Sequence, residues 1–275
     1  MNPFKIEGEI SNTQSAIIGV VGFMMLMVGW QLMTMYGHIN GSILPSPLQV
    51  LACIPDLFNA GLLPNAWFSV KLNLMGYLEA VVISIPIGFA MGLIPGVRAL
   101  VSKYFDALRF LPLPAITGIF ATLFGLGIAL KVHFLSFGIM LYLIPVIVQR
   151  IDEIETLHKQ TITTLGASKW QKVRYLYFPY AMSKISDDIR VLVAISWTYI
   201  VIVELLNQEG GLGGMIFLSN KQSLIAPVYA LILIICMFGY LQDLLFKYLD
   251  KKVFPYKYDD AQIKKSINLL KYIVK

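Results

Sequence analysis

The chain has 275 residues, of which 57% are hydrophobic and 14% are charged, and its mean hydropathy is +0.70. Soluble domains carry about 25% charged residues, so this composition excludes a disordered chain, a coiled coil and an ordinary soluble enzyme. It indicates an integral membrane protein, whose formal net charge of +6 points to cationic loops at the inner membrane surface rather than to nucleic acid. The two cysteines and three histidines lie far apart, so the sequence predicts no disulfide framework and no metal site.

Six segments are long and apolar enough, or nearly so, to cross a bilayer as helices of about 20 residues. The first is longer than the apolar core of a signal peptide and no cleavage site follows it, so we expect a retained helix that also acts as the insertion signal. A shorter stretch at 48–63 predicts a helix lying on the outer surface. The predicted fold is therefore all-α, with six transmembrane helices at 15–36, 72–94, 110–130, 132–149, 189–206 and 222–242.

Lysine and arginine residues orient these helices. If the N-terminus is cytoplasmic and the helices alternate, all but three of the 22 basic residues fall on the inner side. That count includes Arg109, which precedes the third span, as part of an inner loop. We expect both termini in the cytoplasm. The predicted parts are a cytoplasmic tail at 1–14, a transmembrane domain at 15–250 and a basic tail at 251–275, which lies on the inner lipid surface or stays solvated.

Polar residues within the apolar spans are candidates for a pathway through the membrane. Glu79 and Glu204 can line a polar wall, reach the outer interface or be hydrogen-bonded within the bundle. Hydroxyl groups suit an anion better than carboxylates, although helix packing or bonding to the preceding turn is their more common role. The hydroxyl candidates are Ser84, Thr117, Thr122, Ser196 and Thr198.

The third span contains helix-breaking residues. Pro112 and Pro114 predict a distortion near its inner end, and Gly125 and Gly127 loosen its outer end. Broken helices are tolerated at membrane depth where they line a cavity, so this span is a pathway candidate, with simple kinking as the alternative. On the second span, small residues at four-residue steps predict close helix packing: Gly88, Gly92 and Gly96.

The cytoplasmic stretch 151–184 is the most informative part of the sequence. A long loop between closely spaced spans usually carries function. Gly166 suits a sharp turn because glycine tolerates a positive φ. Ser168 followed by Gln171 is a capping-box pattern, which predicts the start of a new helix.

That helix has an aromatic anchor surrounded by basic residues. Trp170 lies near its apolar face, and Pro179 ends the helix or opens the next element. The sequence therefore predicts a helix-turn-helix that protrudes from the membrane and docks onto a soluble partner. A passive linker is the alternative.

The spacing from Gly166 to Pro179 and the string TLGASKWQKVRYLYFP resemble the loop signature of the permease subunits of bacterial ABC importers, in the nitrate, sulfonate, taurine and bicarbonate branch. The segments VIVELLNQEGGLGGMI at 201–216 and LPLPAITGIFATLFGLGIALK at 111–131 resemble the same branch. The likeness covers nearly the whole chain. The Glu-Ala-Ala triplet of the signature is Gln-Thr-Ile here, at 160–162.

This resemblance implies a type I, MetI-like permease fold and a transport subunit that does no covalent chemistry. The implied partners are two copies of an ATP-binding subunit, which holds ATP and Mg²⁺, a soluble substrate-binding protein, a second permease copy and membrane lipid. This chain is expected to bind no cofactor and no nucleic acid. The solute is a small one, such as the anions nitrate, sulfonate or bicarbonate, or taurine, imported across a bacterial inner membrane. The residues implied to couple ATP hydrolysis to transport are Gly166, Ala167, Ser168, Trp170, Gln171 and Pro179.

Two other classes of function are alternatives to this one. A secondary carrier or channel without ATP coupling predicts no soluble partner at 160–179. A membrane-embedded enzyme needs a nucleophile–base pair or a His/Asp cluster within the spans, and the sequence offers neither. The sequence contains no Walker A motif, so we expect ATP to be bound by another polypeptide.

Overall fold

The computed structural model describes residues 10–37, 41, 43–206, 210–255 and 257–258, and every regular element in these ranges is a helix. The predicted N-terminal and C-terminal tails lie mostly outside the described residues. The α-helices are α1 Asn12–Tyr36, α2 Pro47–Ala52, α3 Ile54–Asn59, α4 Leu62–Leu93, α5 Pro95–Leu108, α6 Thr117–Phe124, α7 Ile128–Asp152, α8 Thr156–Thr164, α9 Lys169–Lys172, α10 Phe178–Leu206, α11 Leu212–Lys221 and α12 Ile225–Val253. A 3₁₀ turn at Leu113–Ile116 precedes α6, and a π-helical turn at Val173–Tyr177 precedes α10.

The chain divides into two compact units, of which the first comprises residues 1–63 and 215–234. In this unit α1 is apolar and exposes nearly all its side chains, as a helix surrounded by lipid would. The indole N–H of Trp30 donates to the Pro45 carbonyl at 3.0 Å, and its ring lies 6.0 Å from the Tyr229 ring. The predicted surface helix at 48–63 consists of α2 and α3, each with proline in its first turn, before α4 begins.

The second unit comprises residues 64–214 and 235–275, and α7 is its central helix. Along α4, Gly76, Gly88 and Gly92 contact in turn Leu135, Ile147 and Ile151 of α7. Because the order is the same on both helices, α4 and α7 run in the same direction. The helix α10 runs the opposite way, because its later residue Glu204 meets Ser69 of α4 and its earlier residue Ile189 meets Tyr77.

The predicted close packing of the second span is confirmed at two of its three glycines. A Cβ at Gly88 or Gly92 would lie 2.6 Å from side-chain atoms of Ile147 or Ile151. A Cβ at Gly96 would meet nothing within 4 Å, because this residue lies beyond α4, in the first turn of α5.

The third crossing is broken, and its predicted bounds of 110–130 are wrong. The helix α5 and residues 113–124 together form one apolar pair, bent by 101°. The contacts of the pair with α7 come in reverse order along the chain: Arg98 pairs with Asp152 at one end, and Phe124 lies beside His133 at the other. The crossing thus begins at Pro95 rather than at 110.

The break itself was predicted correctly. It occupies 109–112, where Pro112 and Pro114 prevent a continuous helix. The charged residues of α5 give this half of the crossing the composition of a loop, so the sequence does not predict it as a membrane helix. Arg109 therefore lies within the third crossing and not in an inner loop.

Four helices of the described ranges are long and apolar enough to cross a membrane, namely α1, α4, α7 and α12, and the bent pair adds a fifth when its two parts are taken as one span. The remaining long helix, α10, packs along α7 but carries several charges in its first half, including Lys184, Asp187 and Arg190. These six elements are consistent with the predicted all-α, polytopic fold.

The described residues that follow α12 fold back onto α10 and α12. The Lys257 ammonium pairs with Asp187 at 2.8 Å and with Asp250 at 3.0 Å. The Tyr258 hydroxyl donates to the same Asp250 carboxylate. Burial and this hydrogen bond raise the pKa of Tyr258 to about 12. We call these four residues the C-terminal latch.

Candidate functional site

The predicted turn in the loop at 151–184 is confirmed. Gly166 turns the chain with a φ of +76°, a left-handed value that glycine adopts without a Cβ clash. The Ser168 hydroxyl accepts from the Gln171 N–H at 3.3 Å, and the Gln171 side chain accepts from the Ser168 N–H at 2.7 Å. This reciprocal capping box starts α9. The Lys172 ammonium donates to the Thr163 hydroxyl at 2.8 Å and so ties α9 to α8.

Large apolar side chains of this turn are exposed. Leu165 and Trp170, on either side of the glycine turn, are 78% and 70% exposed, and Leu157 and Tyr175 nearby are exposed as well. We call residues 165–170 the loop tip. Aromatic anchors with a charged rim are typical of protein–protein interfaces. The loop tip can therefore offer a fixed apolar anchor to another protein.

An apolar groove connects the loop tip to a membrane helix. It has a volume of about 540 Å³ and lies between the C-terminal part of α4 and the side chains of Trp170, Val173 and Phe178. The ring of Phe178 lies 5.5 Å from that of Phe89 on α4. Trp170 and α4 therefore line the same groove.

Ion pairs fix the base of the loop. The Arg150 guanidinium donates to the Asp188 carboxylate with two bonds of 2.7 Å and to Glu153 at 2.8 Å. The hydrogen bond from Arg150 lowers the pKa of Glu153, which favours its ionised form. Arg98 donates two bonds of 2.9 and 2.6 Å to Asp152. Bidentate pairs of this kind are directional, so they hold the base of the loop in one geometry.

Pro179 opens the next element and does not end the preceding helix. The short helix α9 continues through the π-helical turn directly into α10, where Pro179 is the second residue. The irregular π-helical turn just before it, in which the Phe178 N–H donates to the Val173 carbonyl, accommodates the proline. The loop tip is thus continuous with the long helix α10, and the predicted separate second helix leads directly into it.

Glu204 lies in a buried hydrogen-bonded cradle at the C-terminal end of α10. The Ser69 hydroxyl donates to one carboxylate oxygen at 2.6 Å, and the Gly213 N–H donates to the other at 2.7 Å. The Leu212 N–H in turn donates to the Ser69 oxygen at 2.8 Å. A Cβ at Gly211 would collide with the carboxylate, so the backbone at Gly211 lies directly against it. These contacts match the hydrogen-bonded alternative for Glu204.

A second buried polar network joins α4, α10 and α12. The Asn73 amide donates to the Ser196 hydroxyl at 2.9 Å. The Trp197 indole donates to Gln242 at 2.8 Å, and the Gln242 amide donates to Asn73 at 3.4 Å. Polar side chains of this kind bind membrane helices to one another. Ser196 is fully buried, and its hydroxyl is engaged in this network.

Glu79 pairs with His133 across α4 and α7. The Oε1 and Nδ1 atoms are 2.9 Å apart, and the two side chains are 27% and 38% exposed. The Phe124 ring covers His133 at a centroid distance of 4.4 Å. His133 is isolated in the sequence, so its pairing with Glu79 is a finding of the structure. Both side chains of the pair therefore remain partly exposed at the surface of the chain.

The three threonine candidates hydrogen-bond to the preceding turn of their own helices, which is the more common role of such residues. Thr117 donates to the Pro114 carbonyl at 2.9 Å, and Thr122 donates to the Gly118 carbonyl at 2.9 Å. Thr198 bonds the preceding turn of α10 in the same way, at 3.4 Å.

A polar stripe on α4 was not predicted. Asn65, Ser69 and Asn73 follow one another at four-residue spacing, which places them on one helix face. That spacing was the available signal, but most of the stripe precedes the predicted span at 72–94. Asn65 accepts from the Gly211 N–H at 2.8 Å, and Ser69 and Asn73 bind α10 as described above. Within the described ranges, no group of three His, Cys, Asp or Glu side chains could hold a metal ion.

Residues 84–255, more than half of the chain, match the family described as "Binding-protein-dependent transport system inner membrane component". The taurine transport system permease protein TauC of Escherichia coli (strain K12) is 26% identical over 238 residues, which cover 84% of this chain and 86% of that protein. The putative aliphatic sulfonates transport permease protein SsuC of Bacillus subtilis (strain 168) is 24% identical over 232 residues, which cover 83% of each chain.

A solved structure shares the fold. A chain of the MetNI methionine ABC transporter, in an inward-facing conformation, superposes with a TM-score of 0.62 over 69% of this chain and 94% of that chain, at 16% identity. This similarity confirms the predicted MetI-like, all-α fold.

The family match also settles the class of function. Members of this family are multi-pass membrane proteins that work with an ATP-binding subunit and a substrate-binding protein, and the separate subunit hydrolyses ATP. The chain belongs to the binding-protein-dependent transport system inner membrane component family and is the transmembrane permease subunit of an ABC importer.

Proposed function

We propose that the loop at 151–184 docks onto the ATP-binding subunit and transmits its movements to the membrane helices. The loop tip enters that subunit, which holds ATP and Mg²⁺, and both termini of the permease lie on the same cytoplasmic side. The residues that carry the coupling are Gly166, Ala167, Ser168, Trp170, Gln171 and Pro179.

The observation that supports this role is the exposed Trp170 on a rigid, capped turn. An exposed tryptophan beside Leu165 is unfavourable in water and favourable inside an apolar cleft. The capping box and the continuity with α10 mean that a force on Trp170 reaches the membrane rather than dissipating in a flexible linker.

We further propose that two copies of the chain form the pathway on a two-fold axis, each binding one ATP-binding subunit. Closed two-fold pairing is the commonest arrangement of identical subunits. Each copy contributes the broken third crossing at Pro112 and Pro114 and the accessible Glu79 to the pathway. The buried Glu204 and Ser196 hold its helices together. We also propose that three threonines line the pathway: Thr117, Thr122 and Thr198.

The solute that fits best is a small organic sulfonate. Two relatives carry the names of taurine and aliphatic sulfonate permeases, and the chain covers more than four fifths of each. Nitrate and bicarbonate share the negative charge but not the organic part. Calorimetry on the substrate-binding protein that associates with this permease tests the assignment: binding of taurine or methanesulfonate is expected, and binding of neither contradicts it.

The docking role predicts a specific effect of Trp170→Ala. We expect at least tenfold weaker retention of the ATP-binding subunit, or loss of uptake with ATP hydrolysis continuing, while membrane insertion stays normal. The matched control is Trp67→Ala, which removes a tryptophan of nearly equal exposure, 68%, from the other end of the second unit. Co-purification and uptake into proteoliposomes measure both variants. Wild-type association and uptake in Trp170→Ala would rule out the docking role.

A further inference from the structure

The third crossing places an ion pair near the middle of the membrane. The helix α7 has 25 residues, or about 38 Å at 1.5 Å per residue, which is enough to cross a bilayer core of about 30 Å. Phe105 packs against the buried clusters that include Leu141 and Ile144, and Leu113 lies against Gly138. Arg109 lies between Phe105 and Leu113 in the chain, and therefore beside the central part of α7.

This ion pair is accessible. Arg109 donates to Asp106 at 2.6 Å, and their side chains are 40% and 60% exposed. Charged side chains at this depth are costly unless they face water or protein. The exposed ion pair thus indicates that this side of the crossing faces a water-filled space or a second copy of the chain rather than lipid.

A cavity with both polar and apolar lining residues extends from the cytoplasmic end to Asp106 of the pair. It has a volume of about 290 Å³ and lies between α5 and α7. Arg98 and Asp152 line its inner end, Ser102 and Gln149 line its wall, and Asp106 lies at its far end. Water that fills this cavity reaches the Asp106–Arg109 pair from the side on which an imported solute leaves.

We infer that Arg109 is a binding residue of the translocation pathway, which receives the negatively charged oxygens of a sulfonate as the solute passes the break. This inference rests on the proposed solute class. A guanidinium donates two parallel hydrogen bonds to such a head group, as it does to carboxylates and phosphates. Asp106 holds Arg109 in place when the site is empty and competes with the solute when it is full. That competition keeps binding weak enough for release, which any conducting site requires.

The test uses the complete transporter, with its ATP-binding subunit and its binding protein, in proteoliposomes. Arg109→Gln is expected to lower the uptake of radiolabelled taurine at least tenfold. The matched control is Lys103→Gln, which removes an exposed cation from the same helix and is expected to stay within twofold of wild type. Arg109→Lys keeps the charge but loses the two parallel bonds, and is expected to fall about threefold or more.

Assembly with the ATP-binding subunit is measured for every variant. Wild-type uptake in Arg109→Gln overturns the inference. If the Arg109→Gln variant does not assemble, the Arg109→Lys variant is used instead. Wild-type uptake in Arg109→Lys would then overturn the inference. If the wild-type complex assembles and hydrolyses ATP but imports no sulfonate, the proposed solute class is wrong. If sulfonate is imported and its uptake does not change when Arg109 is substituted, the proposed solute class is supported and Arg109 is not a binding residue.

Discussion

Gly88 and Gly92 determine how closely α4 approaches α7. The nearest side-chain atoms of Ile147 and Ile151 would lie 2.6 Å from a Cβ at these positions, which is shorter than real carbon contacts. Membrane helices gain little from the hydrophobic effect when they associate in lipid, so close packing of this kind contributes much of their attraction.

At the scale of a single residue, we expect Gly88→Val to weaken this contact. The added methyl groups must push the two helices apart, and overpacking of this kind costs about 1–3 kcal/mol. The thermal midpoint of the purified protein in detergent should fall, whereas Gly96→Val, which fills open space, should leave it unchanged. Equal midpoints for the two variants would contradict the packing interpretation.

Single residues were predictable from the sequence where their structure depends on neighbours in the chain. The turn at Gly166 and the box of Ser168 and Gln171 involve only six consecutive residues, so their pattern was sufficient. The pairing of Glu79 with His133 joins residues 54 positions apart. No local pattern reveals such a partner, because it depends on the alignment of two helices.

At the scale of an element, the third crossing shows how charge conceals a membrane helix. Proline predicted the break, because its effect on the backbone is local. The helix before the break carries Arg98, Lys103 and Asp106, and therefore has the composition of a loop. Its membership of the crossing depends on its packing against α7, which the sequence does not display.

The part of the chain that the structure describes contains three capping boxes of the same composition, in which a serine precedes a glutamine by three residues. They start α1, α2 and α9 at Ser11, Ser46 and Ser168. We expect Ser168→Ala to destabilise the start of α9 by about 1 kcal/mol, which raises the open fraction of the loop about fivefold. Limited trypsin digestion should then cleave after Lys169 or Lys172 about five times faster.

Ser46→Ala is the control for this prediction, because it removes the same box from α2. Its rate of cleavage in the loop should equal that of wild type. If Ser168→Ala were also cleaved at the wild-type rate, the box would contribute nothing to the rigidity of the loop tip.

At the scale of the whole molecule, helix directions agree with an alternating topology. In the second unit, α4 and α7 run the same way, whereas α10 and the broken crossing run the opposite way. The composition alone predicted a polytopic membrane protein, and the loop motif predicted the family. The sequence does not predict which helices pack against each other, because the apolar spans have similar compositions that do not identify their neighbours.

The orientation of the protein in the membrane can be tested with single cysteines in a Cys53→Ser, Cys236→Ser background. Lys71→Cys and Lys169→Cys place exposed thiols at opposite ends of the second unit. A membrane-impermeant maleimide should label Lys71→Cys in intact cells and Lys169→Cys only after permeabilisation, because positive loops stay inside. Labelling of Lys169→Cys in intact cells would place the loop tip outside and end the docking proposal.

The C-terminal latch has a practical consequence for expression of this protein. Asp250 is 3% exposed, and the cation that offsets its charge is Lys257, seven residues further on. A chain truncated before Lys257 would leave an enclosed carboxylate without its counter-ion, and removal of one partner of such a pair is more harmful than removal of both. Shortened versions should therefore end after Tyr258 or replace Asp250 by asparagine at the same time.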